Sequence, residues 1–201
     1  MYLGGPVGSA ESADIAERRR FAQNVLGTLA QSLTDRITIG AGAAAGLGAH
    51  GPAALVTMFW YPDRPIKFLA ERLRISHPGA VQLVARLEDA GLVERIRGED
   101  ARIQLLVLTD AGYDSARAVL AARREVVSRA VGALDDGEVD ALVRTVERML
   151  EALTDDLLTS EFMCRMCDER ACPDDWCPVE KAEPTPPLRR GAGYGVTNVI
   201  G

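Results

Sequence analysis

The apolar positions of this 201-residue chain recur with helical spacing through most of its length and switch to strand-like alternation in one short stretch. From Asp14 to about Ile39, Ile15, Phe21, Val25, Leu29 and Leu33 face one way while Arg18, Arg19 and Arg20 face the other, which predicts a long amphipathic helix. The segment Gly40 to Gly48 holds four glycines and little side chain to pack, so a mobile link is expected there. A second apolar helix is predicted over Pro52–Tyr61, stopped by Pro62 and Pro65. Phe68, Leu69 and Leu73 then mark a short helix that breaks at Arg74-Ile75.

Ser76 is an N-cap residue, and Pro78 sits in the first turn, where a missing N–H costs nothing, so a new helix starts at this point. Along it Ala80, Leu83, Val84 and Leu87 form the buried stripe, and His77, Gly79, Val81, Gln82 and Arg86 face outward. Gly91 reads as the glycine that follows the helix end. Leu92 to Ile96 alternates apolar and polar, a turn follows at Arg97-Gly98-Glu99-Asp100, and Arg102–Leu108 returns, which predicts a β-hairpin with Arg97 and Arg102 at its tip. Thr109 or Asp110 caps a long helix to about Leu134, and Asp135 and Asp136 open another that runs to about Leu158.

Helix, turn, helix and hairpin in this order suit DNA. Gln82 can read adenine bidentately, Val81 can touch a thymine methyl, Gly79 admits close backbone approach, and Arg86 suits phosphate or guanine. Leu69-Ala70-Glu71-Arg72-Leu73, the Ser76–Leu87 helix, Leu87-Glu88-x-x-Gly91-Leu92-Val93-Glu94-Arg95, Asp100-x-Arg102 and Leu108-Thr109-x-x-Gly112 together resemble the MarR family of bacterial transcriptional regulators over roughly residues 14 to 155.

That resemblance implies a mainly α fold with a small β-wing, a winged helix-turn-helix flanked by N- and C-terminal dimerisation helices. It also implies a homodimeric repressor on a pseudo-palindromic operator in double-stranded DNA. The DNA contacts it implies are Ser76, His77, Gly79, Val81, Gln82, Arg86, Arg97, Asp100 and Arg102, with the wing Arg102 entering the minor groove and held by Asp100. An effector pocket for a small aromatic ligand is implied near Met58, Trp60 and Tyr61, against the plainer reading of core packing.

Net charge is −6, but from Glu151 to Glu183 ten acids face three bases, so the rest of the chain is close to neutral. A basic face around Arg64, Lys67, Arg72, Arg74, Arg86, Arg95, Arg97 and Arg102 is therefore expected. No apolar run reaches membrane-spanning length and the first residues lack a secretory pattern, so a cytoplasmic protein without membrane contact is expected. Residues 1–13 are small, polar and expected to be disordered, 14–158 form the regulator body, and 181–201 are a flexible Pro/Gly-rich tail.

Residues 159–180 form an added module that contains every cysteine of the chain, as Cys164-x2-Cys167-x4-Cys172-x4-Cys177. Four thiolates at this spacing can converge on zinc, while Pro173 and Pro178 after the last two cysteines fit an iron–sulfur cluster, and disulfides are a third outcome. Neither a Ser-His-Asp set, nor a phosphate loop, nor a His-Glu-x-x-His motif is present, so no enzyme is expected. The expected function is a dimeric repressor released by a small-molecule or redox signal. The rival readings are a winged-helix protein-docking module without DNA binding, and a thiol redox enzyme working through Cys164 and Cys167.

Overall fold

The computed structural model describes residues 8–45, 48, 50–98, 102–172 and 177–182. Its longest element, α1, spans Gly8–Ala45. Two expectations change here: residues 8–13 belong to the helix, and the glycine-rich stretch continues it to Ala45 instead of breaking it. Residues 1–7 lie outside the described part. The physical reason for the second change is packing, since Ala41 is buried with Val56, Val119 and Leu120. A Cβ placed on Gly40 would stand 3.5 Å from that of Ala122, so small residues are what let α1 approach its neighbour closely. Burial of this kind offsets a propensity cost of about 1 kcal/mol per helical glycine.

Helix α2, Gly51–Trp60, is buried along Gly51–Met58 and runs through the centre, as a helix apolar on all sides must. Strand β1 (Arg64–Pro65) leads into α3 (Ile66–Arg72), then α4 (His77–Asp89), β2 (Val93–Arg97) and β3 (Gln104–Leu108). The sheet order is β1-β3-β2, with both pairs antiparallel and Val93 opposite Leu108 through Arg97 opposite Gln104. Strand β1 was not expected, because two residues carry no periodicity. Pro65 is extended and lacks an N–H, which suits a sheet edge.

Thr109 caps α5 (Asp110–Val131) by accepting from the Gly112 N–H at 3.0 Å, and its hydroxyl donates to the Gly91 carbonyl at 2.7 Å. The glycine is required there: a Cβ on Gly112 would lie 2.0 Å from the Leu92 carbonyl oxygen. Asp135 and Glu138 form a reciprocal capping box at the start of α6 (Asp136–Leu153). That helix stops at Thr154 instead of reaching Leu158, and α7 (Leu157–Cys164) restarts with Asp156 as its cap. The short α8 spans Pro178–Lys181.

Leu55, Leu69, Leu73, Leu83, Val84, Leu87, Leu92, Val93, Leu106 and Leu108 make one core that joins α2, the helix-turn-helix and the sheet. Each buried leucine contributes about 1.5–3 kcal/mol. Two apolar faces lie outside it. Phe21, Val25, Leu26 and Leu29 of α1 are exposed, as are Leu142, Val143, Val146, Met149 and Leu153 of α6, a helix with no buried residue.

Candidate nucleic-acid interface

The Ser76 hydroxyl accepts from the Gly79 N–H at 3.2 Å, which starts α4 where the sequence requires. Ala80, Leu83, Val84 and Leu87 are buried, the stripe the periodicity predicts, and occupy an arc of about 100° around the helix. The rest of the circumference carries His77, Val81, Gln82 and Arg86, all exposed, with Gly79 half-buried at the rim. These side chains extend over nine helical steps, about 14 Å, which is the reach of a helix along a major groove.

Gly91, at φ +70°, turns the chain out of the helix. The angle between α4 and the hairpin is then fixed by an ion pair, Arg95 to Glu88 at 2.8 Å. Five residues of β2 and five of β3 carry Arg97 and Arg102 to the far end of the hairpin, where both are exposed. Among the described residues neither Arg86 nor Arg97 is in an ion pair. Asp100, expected to hold Arg102, lies outside the described residues.

The expected basic face is smaller than the sequence suggests. Arg72 is 3% exposed and turned inward, 3.6 Å from Glu161 and 3.8 Å from Glu169, with its guanidinium 4.1 Å from the centre of the Tyr61 ring. Arg74, left-handed at φ +52° in the turn before α4, hydrogen-bonds the Thr159 hydroxyl at 2.9 Å and pairs with Asp156 at 3.9 Å. With Arg95 held by Glu88, three of the eight expected cations serve the fold. Arg64, Lys67, Arg86, Arg97 and Arg102 remain exposed.

The acidic stretch after α6 is thus neither remote nor merely solvated; it docks behind the helix-turn-helix. Asp156 also accepts from the Thr159 N–H at 2.7 Å, and its carboxyl is held below the ordinary 3.8, first by that amide and then by the Thr159 hydroxyl. The sequence shows the run of acids from Glu151 to Glu183, but no spacing rule ties residue 72 to residues 161 and 169.

Met58, Trp60 and Tyr61, the residues of the expected effector pocket, all make contacts within the chain. Met58 lies in the core. The Trp60 indole N–H donates to the Cys167 carbonyl at 3.0 Å with Arg170 over its ring, and Tyr61 lies under Arg72. Of the three, Met58 is buried, and Trp60 and Tyr61 are half-buried.

The four cysteines are brought together, unpaired by disulfides. Cys164 ends α7, and the Cys167 N–H donates to the Cys164 carbonyl at 2.9 Å, closing a tight turn. The Cys164 thiol is within hydrogen-bonding reach of Cys167 and Cys177, and Cys177 of Cys172. These contacts push Cys164 up. Cys167 is lowered to about 7 and Cys177 to about 5, each first by Cys164, while Cys172 is raised to about 12, first by burial.

Residues 61–103, from the end of α2 to the wing, match the MarR family model. The winged helix-turn-helix of this chain is thus similar to that of the MarR family. No curated protein matches it significantly. Solved structures share the fold: YusO from Bacillus subtilis is 21% identical, with a TM-score of 0.62 over 68% of this chain and 97% of YusO. RV1404 from Mycobacterium tuberculosis is 22% identical, with a TM-score of 0.60 over 77% and 99%. FabT from Streptococcus pneumoniae, solved in complex with DNA, is 17% identical, with a TM-score of 0.57 over 66% and 96%. The chain has the fold of a MarR-family transcription regulator, and no helix among the described residues is long and apolar enough to cross a membrane.

Proposed function

We propose that the protein is a homodimeric, sequence-specific DNA-binding transcriptional repressor, a binding protein and not an enzyme. The observation that carries this reading is the outward face of α4, where His77, Val81, Gln82 and Arg86 are exposed beside a wing that ends in Arg97 and Arg102. A helix so equipped inserts into the major groove, with Gln82 and Arg86 toward base edges and the wing arginines toward phosphates and the minor groove. The DNA in the FabT structure supports it by fold likeness. The exposed apolar faces of α1 and α6 supply the dimer contact, since such stripes on long helices cost free energy in water. Release from DNA by a small molecule or an oxidant enters through residues 157–182, because Glu161 and Glu169 hold Arg72 of α3 directly.

The test is selection from a random duplex library by the full-length protein. A pseudo-palindrome with half-sites about one helical turn apart is expected. Arg86→Ala is expected to lose at least tenfold in affinity for the selected site. Arg102→Ala is expected to weaken all sequences and to make the slope of log affinity against log salt shallower by about 1. If no sequence is enriched, and both variants match the parent on duplex DNA, the winged helix is a protein-docking module.

A further inference from the structure

The cysteine cluster is the part of the molecule that the DNA-binding reading leaves unused. We propose that Cys164, Cys167, Cys172 and Cys177 bind a single zinc ion as a closed four-thiolate site, and that this ion holds the acidic C-terminal segment against the back of the helix-turn-helix.

Three features of the site carry the inference. The first is sulfur spacing: the thiols form a chain of contacts, Cys167 to Cys164 to Cys177 to Cys172, each link within hydrogen-bonding reach. Sulfurs bound to one tetrahedral zinc at 2.3 Å stand about 3.8 Å apart, which is contact distance. In a four-iron cluster each thiolate takes a different iron, so its sulfurs stand further apart than those around a single zinc ion. Among the described residues no group of three or more His, Cys, Asp or Glu side chains stands in a metal-holding arrangement, so the proposal requires the four sulfurs to close around the ion as it binds.

The second feature is the backbone around them. The Cys167 N–H to Cys164 carbonyl bond makes the knuckle that a Cys-x2-Cys pair needs to turn both sulfurs to one ion. A second tight turn, from the Ala171 N–H to the Asp168 carbonyl at 3.0 Å, delivers Cys172, and Cys177 is buried at the start of α8 beside the buried Val179.

The third is the surrounding charge and anchoring. Four thiolates around a divalent ion carry a net charge of −2, and Arg123 and Arg165 lie close enough to Cys167 to act on it electrostatically. The carbonyl of Cys167 is fixed by the Trp60 indole. Outer contacts of this type orient ligands and compensate their charge. None of the four cysteines is in a disulfide in the structure.

The ion is thereby placed between two groups that touch the DNA-binding unit. Glu161 lies on α7 before the first cysteine, and Glu169 lies between the second and third, and both hold Arg72. This proposal does not depend on DNA binding, and its readout involves no DNA.

The experiment uses full-length protein purified with reductant and without chelator, analysed for metals and for free thiols. One zinc per chain in a colourless protein is the expected result, with four thiols that become reactive as zinc is released. Exchange with cobalt(II) is expected to give the intense visible bands of tetrahedral all-thiolate coordination, which zinc then bleaches. Cys172→Ser and Cys164→Ser are each expected to bind zinc at least tenfold more weakly. Should a serine variant fail to fold, cobalt titration of the parent still decides. Stoichiometric iron with visible absorbance, disulfide-bonded cysteines without metal, or four free thiols that do not take up cobalt each overturn the proposal.

Discussion

Replacing Arg72 by methionine tests how strongly the C-terminal segment is joined to the helix-turn-helix. The substitution keeps the volume and the apolar stem but leaves Glu161 and Glu169 facing a neutral side chain. At 3.6 and 3.8 Å a pair of unit charges in a partly screened interior attracts by about 4 kcal/mol before desolvation is counted. Breaking a fully buried pair costs about 3–5 kcal/mol, and an exposed pair less than about 1. Arg72 is 3% exposed while its partners are 27% and 22% exposed, which places the loss between these limits. Losing the cation over the Tyr61 ring adds to it. The expected total is about 2–4 kcal/mol, or a fall in melting temperature of roughly 4–16 °C for a chain of this size. Thermal unfolding should be followed at one protomer concentration, because dimer dissociation otherwise shifts the midpoint. A cycle with Glu161→Gln is expected to give a coupling of about 1 kcal/mol or more. A change in melting temperature below about 1 °C, or strict additivity in the cycle, would refute the view that Arg72 fastens the segment.

Gly112→Ala should destabilise the chain by at least the roughly 1–3 kcal/mol typical of overpacking, because the new Cβ meets the Leu92 carbonyl at 2.0 Å; urea unfolding checks it, and a loss under about 0.5 kcal/mol contradicts the geometry. Val146→Asp puts a charge in the middle of the exposed apolar face of α6 formed with Leu142, Met149 and Leu153. Light scattering is expected to show a dimer for the parent and a monomer of unchanged helicity for the variant, and a variant that stays dimeric moves the interface off α6.

The helix-turn-helix was legible because its signals are local. A serine cap, a proline in the first turn, four apolar residues on one arc and a glycine at φ +70° each act within a few residues, and the structure has Ser76, Pro78, the Ala80–Leu87 stripe and Gly91 in those roles. The hairpin followed from alternation and a turn, as the pairing of Val93–Arg97 with Gln104–Leu108 bears out. The cysteine spacing was equally plain, since four thiols within fourteen residues are a local pattern.

What the sequence did not determine lies wherever distant segments meet. Gly40–Ala45 carries two glycines and is nevertheless helix, because its four alanines are strong helix formers and Gly40 and Ala41 pack closely against Ala122, Val119 and Leu120 of α5. Arg72, Arg74 and Arg95 looked like DNA-facing cations on a basic motif, yet their acids come from residues 161 and 169, 156, and 88. The Trp60 indole N–H finds its acceptor in the Cys167 carbonyl, more than a hundred positions away. Charge and aromaticity are written in the chain, but whether a side chain turns outward to a partner or inward to the protein depends on which distant segment satisfies it, and only the tertiary packing decides that.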